Sequence, residues 1–462
     1  MGLLALLVAA TAAAAAPSSN PFAGQTFYVN PAFVAEISSS IATCTDPTAC
    51  ANLRLMRGVA SAFWVDTKAK IAGDANHSVS VAGILADAAA QSPPQAVLLV
   101  VYDLPNRDCH AKASNGEVCC TYNNDGTCNY DAAGDCAAGI AEYKASYIDP
   151  LAALLGQYEG KVPIIAVLEP DSLPNLASNM ADPHCGNSAT VAAYKAGIPY
   201  ASACAGRTAA RPRRPARRPF PLTRALPSPP PPRAAVNAIA AKAPSVSMYL
   251  DAAHGGWLGW ENNAQAFAAL VSGLGVAEKL RGFSTNVANY QPLGVACPAF
   301  DWCLPSRHPG DACCEDPCHL ESQYDPGVQE HQYVQVLAHY VAPFMPAARF
   351  VIDTGRNGVD GMRSACPNWC NIRGAGVGRL PTAATDDPSL IDAYAWLKTP
   401  GESDGCTQTL PSGAQCARFD SFCGSEDSLG NAAGEPKVPV AGLWYDFGVQ
   451  MLARNANFNS TR

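Results

Sequence analysis

At 462 residues, 48% hydrophobic and 15% charged, the chain can bury a large core, as one big barrel or as two domains. After its first residues no run approaches the ~20 apolar residues that a membrane-spanning helix needs, so no membrane partner is expected. Nineteen cysteines in an acidic chain of net charge −8 read as disulfides of an oxidising compartment, not as metal ligands or catalytic thiols.

Residues 1–16 are apolar and Ala-rich and end in small residues before Pro17. They read as a secretory signal peptide without the usual positive start, and nothing polar alternates with them as it would in a barrel helix. The remainder, 17–462, is expected as one soluble, secreted, extracellular catalytic domain. The sequons Asn76-His77-Ser78 and Asn459-Ser460-Thr461 agree with secretion.

The first strong element is the apolar run 96–101, a strand buried on both faces that ends in Tyr102, Asp103, Arg107 and Asp108. The pattern repeats. Residues 162–168 run into Glu169 and Asp171, 245–250 into Asp251 and His254, and 280–284 into Asn286 and Asn289. Residues 348–352 end at Asp353 and Arg356, and 393–397 at Lys398, Glu402 and Asp404. Short apolar runs closed by polar residues, with helix-length segments between them, predict parallel strands sharing one polar face at their C-terminal ends.

One stretch breaks the pattern. Residues 202–235 hold eight arginines, many prolines and no acidic residue, a composition expected to be disordered. The arginines carry +8, so the rest of the chain stands at −16. The segment reads as an insertion interrupting the barrel, such as retained intronic sequence, and not as a polyanion tether; no nucleic-acid partner is expected. Removing it also removes Cys204 and leaves an even eighteen cysteines.

Spacing suggests two local pairs, Cys44 with Cys50 and Cys406 with Cys416. Two dense clusters (Cys119, Cys120, Cys128 and Cys136; Cys297, Cys303, Cys313, Cys314 and Cys318) fit no standard zinc spacing and read as disulfide-stapled loops.

The motifs VVYDLPNRDC (100–109), ASNGE (113–117), EPDSL (169–173), YLDAAHGGWLGW (249–260), TNVANY (285–290), NWCN (368–371) and the segment 398–404 together resemble family 6 glycoside hydrolases. Those are the non-reducing-end cellobiohydrolases and their endoglucanase relatives. The resemblance runs from about Asn20 to Asn455. It implies an α/β fold, a distorted TIM-like parallel β/α barrel of about seven strands, and disulfides Cys109–Cys185 and Cys370–Cys423. It implies an inverting enzyme that cleaves β-1,4-glucan. No compact His/Cys/carboxylate ligand set appears, so no metal or other cofactor is expected, and the chain is expected as a monomer.

Carried over residue by residue, the resemblance makes Asp171 the general acid and Asp108 the aspartate that keeps it protonated. Asp404 matches the position often proposed as base, Ser114 the holder of the water, and Tyr102 the tyrosine that distorts the sugar. Without the resemblance, Asp108 reads as a salt bridge to Arg107. Asp251, His254, Asn289, Lys398 and Glu402 match polar substrate contacts. Trp64, Trp257, Trp260 and Trp369 match tryptophans along the glucan path, where flat indoles meet the apolar faces of glucose rings. Taken singly, each Trp reads as core.

The chain departs from the family at Ala253, where Gly is usual, at Ser403, where Cys is usual, and at Thr399-Pro400. Long stretches at 115–137 and 398–423 favour a roofed tunnel and exo action. An endoglucanase is the alternative, and an inactive glycan-binding protein on the same scaffold a more distant one.

Overall fold

The computed structural model describes residues 20–75, 79–202, 238–303, 308, 310–316, 327, 329–365 and 367–460. The signal-peptide stretch, nearly all of the Arg/Pro-rich segment, the sequon at Asn76, Cys204 and Cys318 lie outside these residues.

Seven strands form one sheet in sequence order with every neighbouring pair parallel. They are β1 (Phe63–Val65), β2 (Val97–Val101), β3 (Ile164–Leu168), β4 (Ser247–Asp251), β5 (Gly282–Thr285), β6 (Arg349–Asp353) and β7 (Ile391–Ala395). Six match the apolar runs of the sequence. The seventh, β1, is three residues long, too short to show a pattern. β7 begins two residues earlier than its apolar run suggests, because it contains a charge. Asp392 sits opposite a register shift at Phe350/Val351 and accepts from the Tyr249 hydroxyl at 2.6 Å and from Arg281 Nε at 2.7 Å. A buried aspartate so partnered is compatible with a strand interior.

Alternation along the strands divides them between two cores. Leu98, Val100, Ile165, Val167, Tyr249, Val351, Ala393 and Ala395 fill the barrel interior, with Phe22 packed on Tyr249. Their neighbours Val97, Leu99, Val101, Ile164, Ala166, Leu168, Met248, Leu250, Phe350 and Ile352 pack under the surrounding helices. Both faces are apolar, so the strands read as continuous hydrophobic runs. Each Val, Leu, Ile, Met or Phe among them stabilises by about 1.5–3 kcal/mol on burial.

The barrel is not closed by a strand pair. β1 meets the end of β7 through Ala62 N to Trp396 O (2.9 Å) and Trp64 Nε1 to Leu397 O (2.7 Å). A further core covers this seam, built by the helices Pro31–Thr43, Pro47–Met56 and Asp446–Arg454 around Trp396 and Tyr290. The first two begin with proline behind side-chain caps. Asn30 accepts from Ala32 N and Asp46 from Ala49 N.

The helix Ser188–Ser202 corrects one boundary. Ser202 is buried and bonds Ile198 O at 2.7 Å, so it ends a helix instead of starting the Arg/Pro-rich segment. The chain is described again from the helix Ala238–Lys242, which packs against Ser188–Ser202 and Asp149–Gln157.

Candidate active site

The polar residues that end the strands converge on one face. Among the described residues ten non-glycines have positive φ, and eight of them lie in the loops that follow the strands: Asn106, Asp108, Glu169, Asp171, Ala253, Asn286, Ala288 and Asn371. Left-handed backbone costs about 1–2 kcal/mol per L-residue and persists where surroundings enforce it, commonly at functional sites. Ala253, at φ 52°, explains why glycine suits that position.

Three buried carboxyls hold these turns by accepting backbone N–H groups from neighbouring strand ends. Glu169 accepts from Asp103 N and Leu104 N, both at 3.1 Å, and from the Tyr143 hydroxyl at 2.6 Å. Asp251 Oδ2 accepts from Asp171 N at 3.0 Å and Ala253 N at 3.1 Å. Asp353 accepts from Ala288 N, Gly355 N, Leu397 N and Lys398 N at 2.8 to 3.1 Å. These carboxyls join the top of β3 to those of β2 and β4, and the top of β6 to those of β5 and β7, while Asn286 N to Ala253 O at 2.6 Å joins β4 to β5. Only Asp251 was expected at the site; the sequence showed the other two as strand-end carboxyls.

Asp108 is buried and its Oδ2 accepts from the Tyr102 hydroxyl at 2.9 Å. Burial pushes its carboxyl up to about 6, against the opposing hydrogen bonds from Tyr102 and Ser114. Asp171 is half-buried as a residue. Desolvation of its carboxyl, then the charges of Asp108 and Asp251, hold it well above the usual carboxylate range. Burial likewise raises Asp251 to about 7. A carboxyl kept protonated beside one that is ionised near neutrality is the pairing that acid–base chemistry on a glycoside needs.

The expected salt bridge between Arg107 and Asp108 is absent. Arg107 pairs with Asp103 at 3.3 Å, lies over the Tyr102 ring, and donates to the carbonyls of Asp66, Tyr102 and Ser114. It braces the turn that carries Asp108 and Ser114, which leaves Asp108 free to titrate.

Asp404 is enclosed by donors. Arg356 Nη1 bonds Oδ1 at 2.6 Å, while the Tyr290 hydroxyl (2.7 Å) and Asn371 N (2.8 Å) bond Oδ2. Proton abstraction by Asp404 itself would have to break a buried ion pair. Tyr290 and Asn371 are in TNVANY and NWCN, but nothing in their spacing shows that they meet one aspartate.

Of the aromatic residues, Trp64 packs edge-to-face with Tyr102, their ring centres 5.3 Å apart, and has the Lys398 ammonium 5.2 Å from its ring centre. Lys398 pairs with Glu402 at 3.1 Å. Trp257 is tilted against His254 and bonds Ser178 Oγ through Nε1 at 2.6 Å. Trp260 immediately precedes the helix Glu261–Leu274 without a side-chain bond to it, and Trp369 lies against Phe422. All four indoles are half-buried, unlike the fully enclosed Trp396. His254 is held neutral, pushed down to about 3 by burial and the charge of Arg363. Arg363 also reaches Asn289 Oδ1 at 3.4 Å.

The disulfides Cys109–Cys185 and Cys370–Cys423 tie site loops to their neighbours, and the local pairs Cys44–Cys50 and Cys406–Cys416 are present. Cys119–Cys128 and Cys120–Cys136 staple the stretch 115–137. The sulfurs of Cys297, Cys303, Cys313 and Cys314 lie within 4.8 Å of one another, paired as Cys297–Cys313 and Cys303–Cys314. The two long loops touch: Arg418 Nη1 donates to Asn115 O at 3.0 Å, and Asp420 Oδ2 accepts from Lys112 N at 2.8 Å.

A family model described as glycosyl hydrolases family 6 matches residues 22–204 and 233–456. The interval between the two matched parts falls within the Arg/Pro-rich segment. A protein of Aspergillus terreus named probable 1,4-beta-D-glucan cellobiohydrolase C is 34% identical over 452 residues, 96% of this chain and 76% of that protein. Exoglucanase 3 of Agaricus bisporus is 33% identical, over 95% of this chain and 80% of its own length. Among solved structures, the catalytic core domain of a cellobiohydrolase from Chaetomium thermophilum superposes with a TM-score of 0.68 at 30% identity, covering 95% of this chain and 99% of that one. Cellobiohydrolase II of Humicola insolens in complex with glucose and cellotetraose gives 0.68 at 29% identity, with the same coverage.

Proposed function

The chain belongs to glycosyl hydrolases family 6, and from that premise we propose that it is an exo-acting cellulose 1,4-β-cellobiosidase that inverts the anomeric centre. The observation that carries the reading is the carboxyl cluster Asp108–Asp171–Asp251. Burial and mutual charge keep Asp171 protonated while Asp108 titrates near 6.

Asp171 donates its proton to the glycosidic oxygen as the bond to the anomeric carbon breaks. A water held by Ser114 attacks that carbon from the opposite face, and its proton passes through water toward Asp108. Asp404, engaged by Arg356, Tyr290 and Asn371, anchors the loop 398–423 rather than taking the proton. Tyr102, bonded to Asp108, crowds the sugar at the reacting centre. The four half-buried tryptophans supply stacking surfaces, and Lys398, Glu402, His254 and Asn289 supply polar contacts to hydroxyls.

Exo action rests on the contact between the two disulfide-stapled loops. Cross-links lower the entropic cost of ordering a roof, and a roofed path retains the chain between cuts. The products are cellobiose units from non-reducing ends. Residues 17–462 form one catalytic domain interrupted by the Arg/Pro-rich insertion, secreted and acting as a monomer. Eight disulfides among the described residues support an oxidising compartment, and no helix among those residues is long and apolar enough to cross a membrane.

Product analysis on amorphous cellulose tests the reading. Soluble cellobiose should far exceed new ends on the polymer, and proton NMR of the first product should show the α-anomer. A rapid viscosity loss in carboxymethyl cellulose would replace exo with endo action, and β-anomeric product would overturn the inverting mechanism.

A further inference from the structure

Glu330 is a fully buried carboxyl that the reaction above does not use. It is the first residue of the helix Glu330–Val341, and its Oε1 accepts from Gly255 N at 2.7 Å. One turn on, the Tyr333 hydroxyl donates to Ala252 O at 2.5 Å. Residues three apart share a helix face, so this one face grips the segment beyond β4 at two points. Between and just after those points stand His254 and the helix Gly255–Leu258, which carries Trp257. Asp251, from which Asp171 hangs, immediately precedes them.

Ala252 and Ala253 are held by bonds to Ser284 O, Asp251 and Asn286 N, and Gly255 N by Glu330. The segment includes Ala253 at φ 52°, and the helix Gly255–Leu258 is a single turn with no side-chain cap of its own. An isolated turn of that length has no stability in water, so its position must come from tertiary contacts. Glu330 supplies the acceptor that a capping side chain would otherwise provide.

We propose that Glu330, assisted by Tyr333, is a positioning residue that sets the height of Trp257 in the glucan path. The inference rests on the reading of Trp257 as a substrate contact. Burial raises the Glu330 carboxyl to about 8, so it is neutral below that pH. Its Oε2 is buried without a hydrogen bond of ordinary geometry, an arrangement a charged carboxylate would not tolerate. Glutamine, neutral and of the same shape, therefore replaces it closely, whereas leucine keeps the volume and loses the acceptor.

The test is steady-state kinetics on cello-oligosaccharides for wild type, Glu330→Leu, Glu330→Gln and each change combined with Trp257→Ala. Glu330→Leu should raise KM by about five- to tenfold, the scale of one lost hydrogen bond, with kcat within about twofold. Glu330→Gln should restore KM. In the Trp257→Ala background Glu330→Leu should add little, because its effect passes through that indole. Equal impairment by Gln and Leu, or an undiminished effect in the Trp257→Ala background, would overturn the proposal. Should Glu330→Leu fail to fold, Tyr333→Phe removes the second grip and must raise KM in the same Trp257-dependent way; an unchanged KM counts against the proposal. An inactive wild type would sink the functional reading, whereas an active wild type with insensitive variants sinks only the role of Glu330.

Discussion

Asp171 donates its backbone N–H to Oδ2 of Asp251 across 3.0 Å, so the proposed general acid is suspended from a second buried carboxyl. The bond fixes where the acid stands, and the Asp251 charge helps to keep it protonated. Asp251→Asn should therefore shift the alkaline limb of the kcat profile toward lower pH, since removing a neighbouring negative charge lowers the Asp171 pKa. Asp171→Asn should still bind cello-oligosaccharides but lose about 10²–10⁴ in turnover. An unmoved limb in the first variant, or near-normal rates in the second, would remove that residue from its role.

Arg356 and Asp404 form a buried pair at 2.6 Å, both nearly without solvent contact. Arg356→Leu leaves the Asp404 charge uncompensated and should destabilise the fold by about 3–5 kcal/mol. Equilibrium urea unfolding with the disulfides intact would measure it. A loss under about 1 kcal/mol would mean that Asp404 tolerates isolation, contrary to its role as an anchor.

Arg418 joins the two long loops through Asn115 O. Arg418→Ala should loosen the roof without touching Asp108 or Asp171. The expected outcome is a lower ratio of soluble to polymer-bound reducing ends, with hydrolysis of short oligosaccharides little changed. An unaltered ratio would show that the Arg418 bond does not hold the roof.

Stability should peak on the acid side of neutrality. Burial raises Asp251 from 3.8 to about 7, Glu169 from 4.5 to about 7 and Glu330 from 4.5 to about 8. Between about pH 4 and 8 the folded chain thus holds protons that the unfolded chain has released, and stability falls as pH rises through that window. Below it the opposite group matters. Asp66, Asp182 and Asp427 are held below their ordinary values despite burial, by Lys70, His110 and Asn368 respectively among others, and lose that stabilisation as they protonate. Melting temperatures across pH 3 to 9 should therefore be highest near pH 4–5. A maximum at pH 7 or above would contradict this.

The sequence by itself determined the parallel barrel and its polar face. Runs such as Val97–Val101 and Ile164–Leu168 are apolar on both faces and end in carboxyls, a pattern that few other arrangements satisfy. It also pointed to Asp108, Asp171 and Asp251, because a strand end places each next to its neighbours. Tertiary structure decided what those groups are bonded to. Arg107 follows Tyr102 and precedes Asp108, yet it turns to Asp103 and three carbonyls, since a guanidinium binds wherever enclosed acceptors converge. Asp404 meets Tyr290, Arg356 and Asn371 from 114, 48 and 33 residues away. Such partners leave no trace in local spacing, because they are selected by the distance between loop ends after the barrel has formed. β1 was hidden for the same reason: three residues carry no periodicity, and only pairing with β2 makes them a strand.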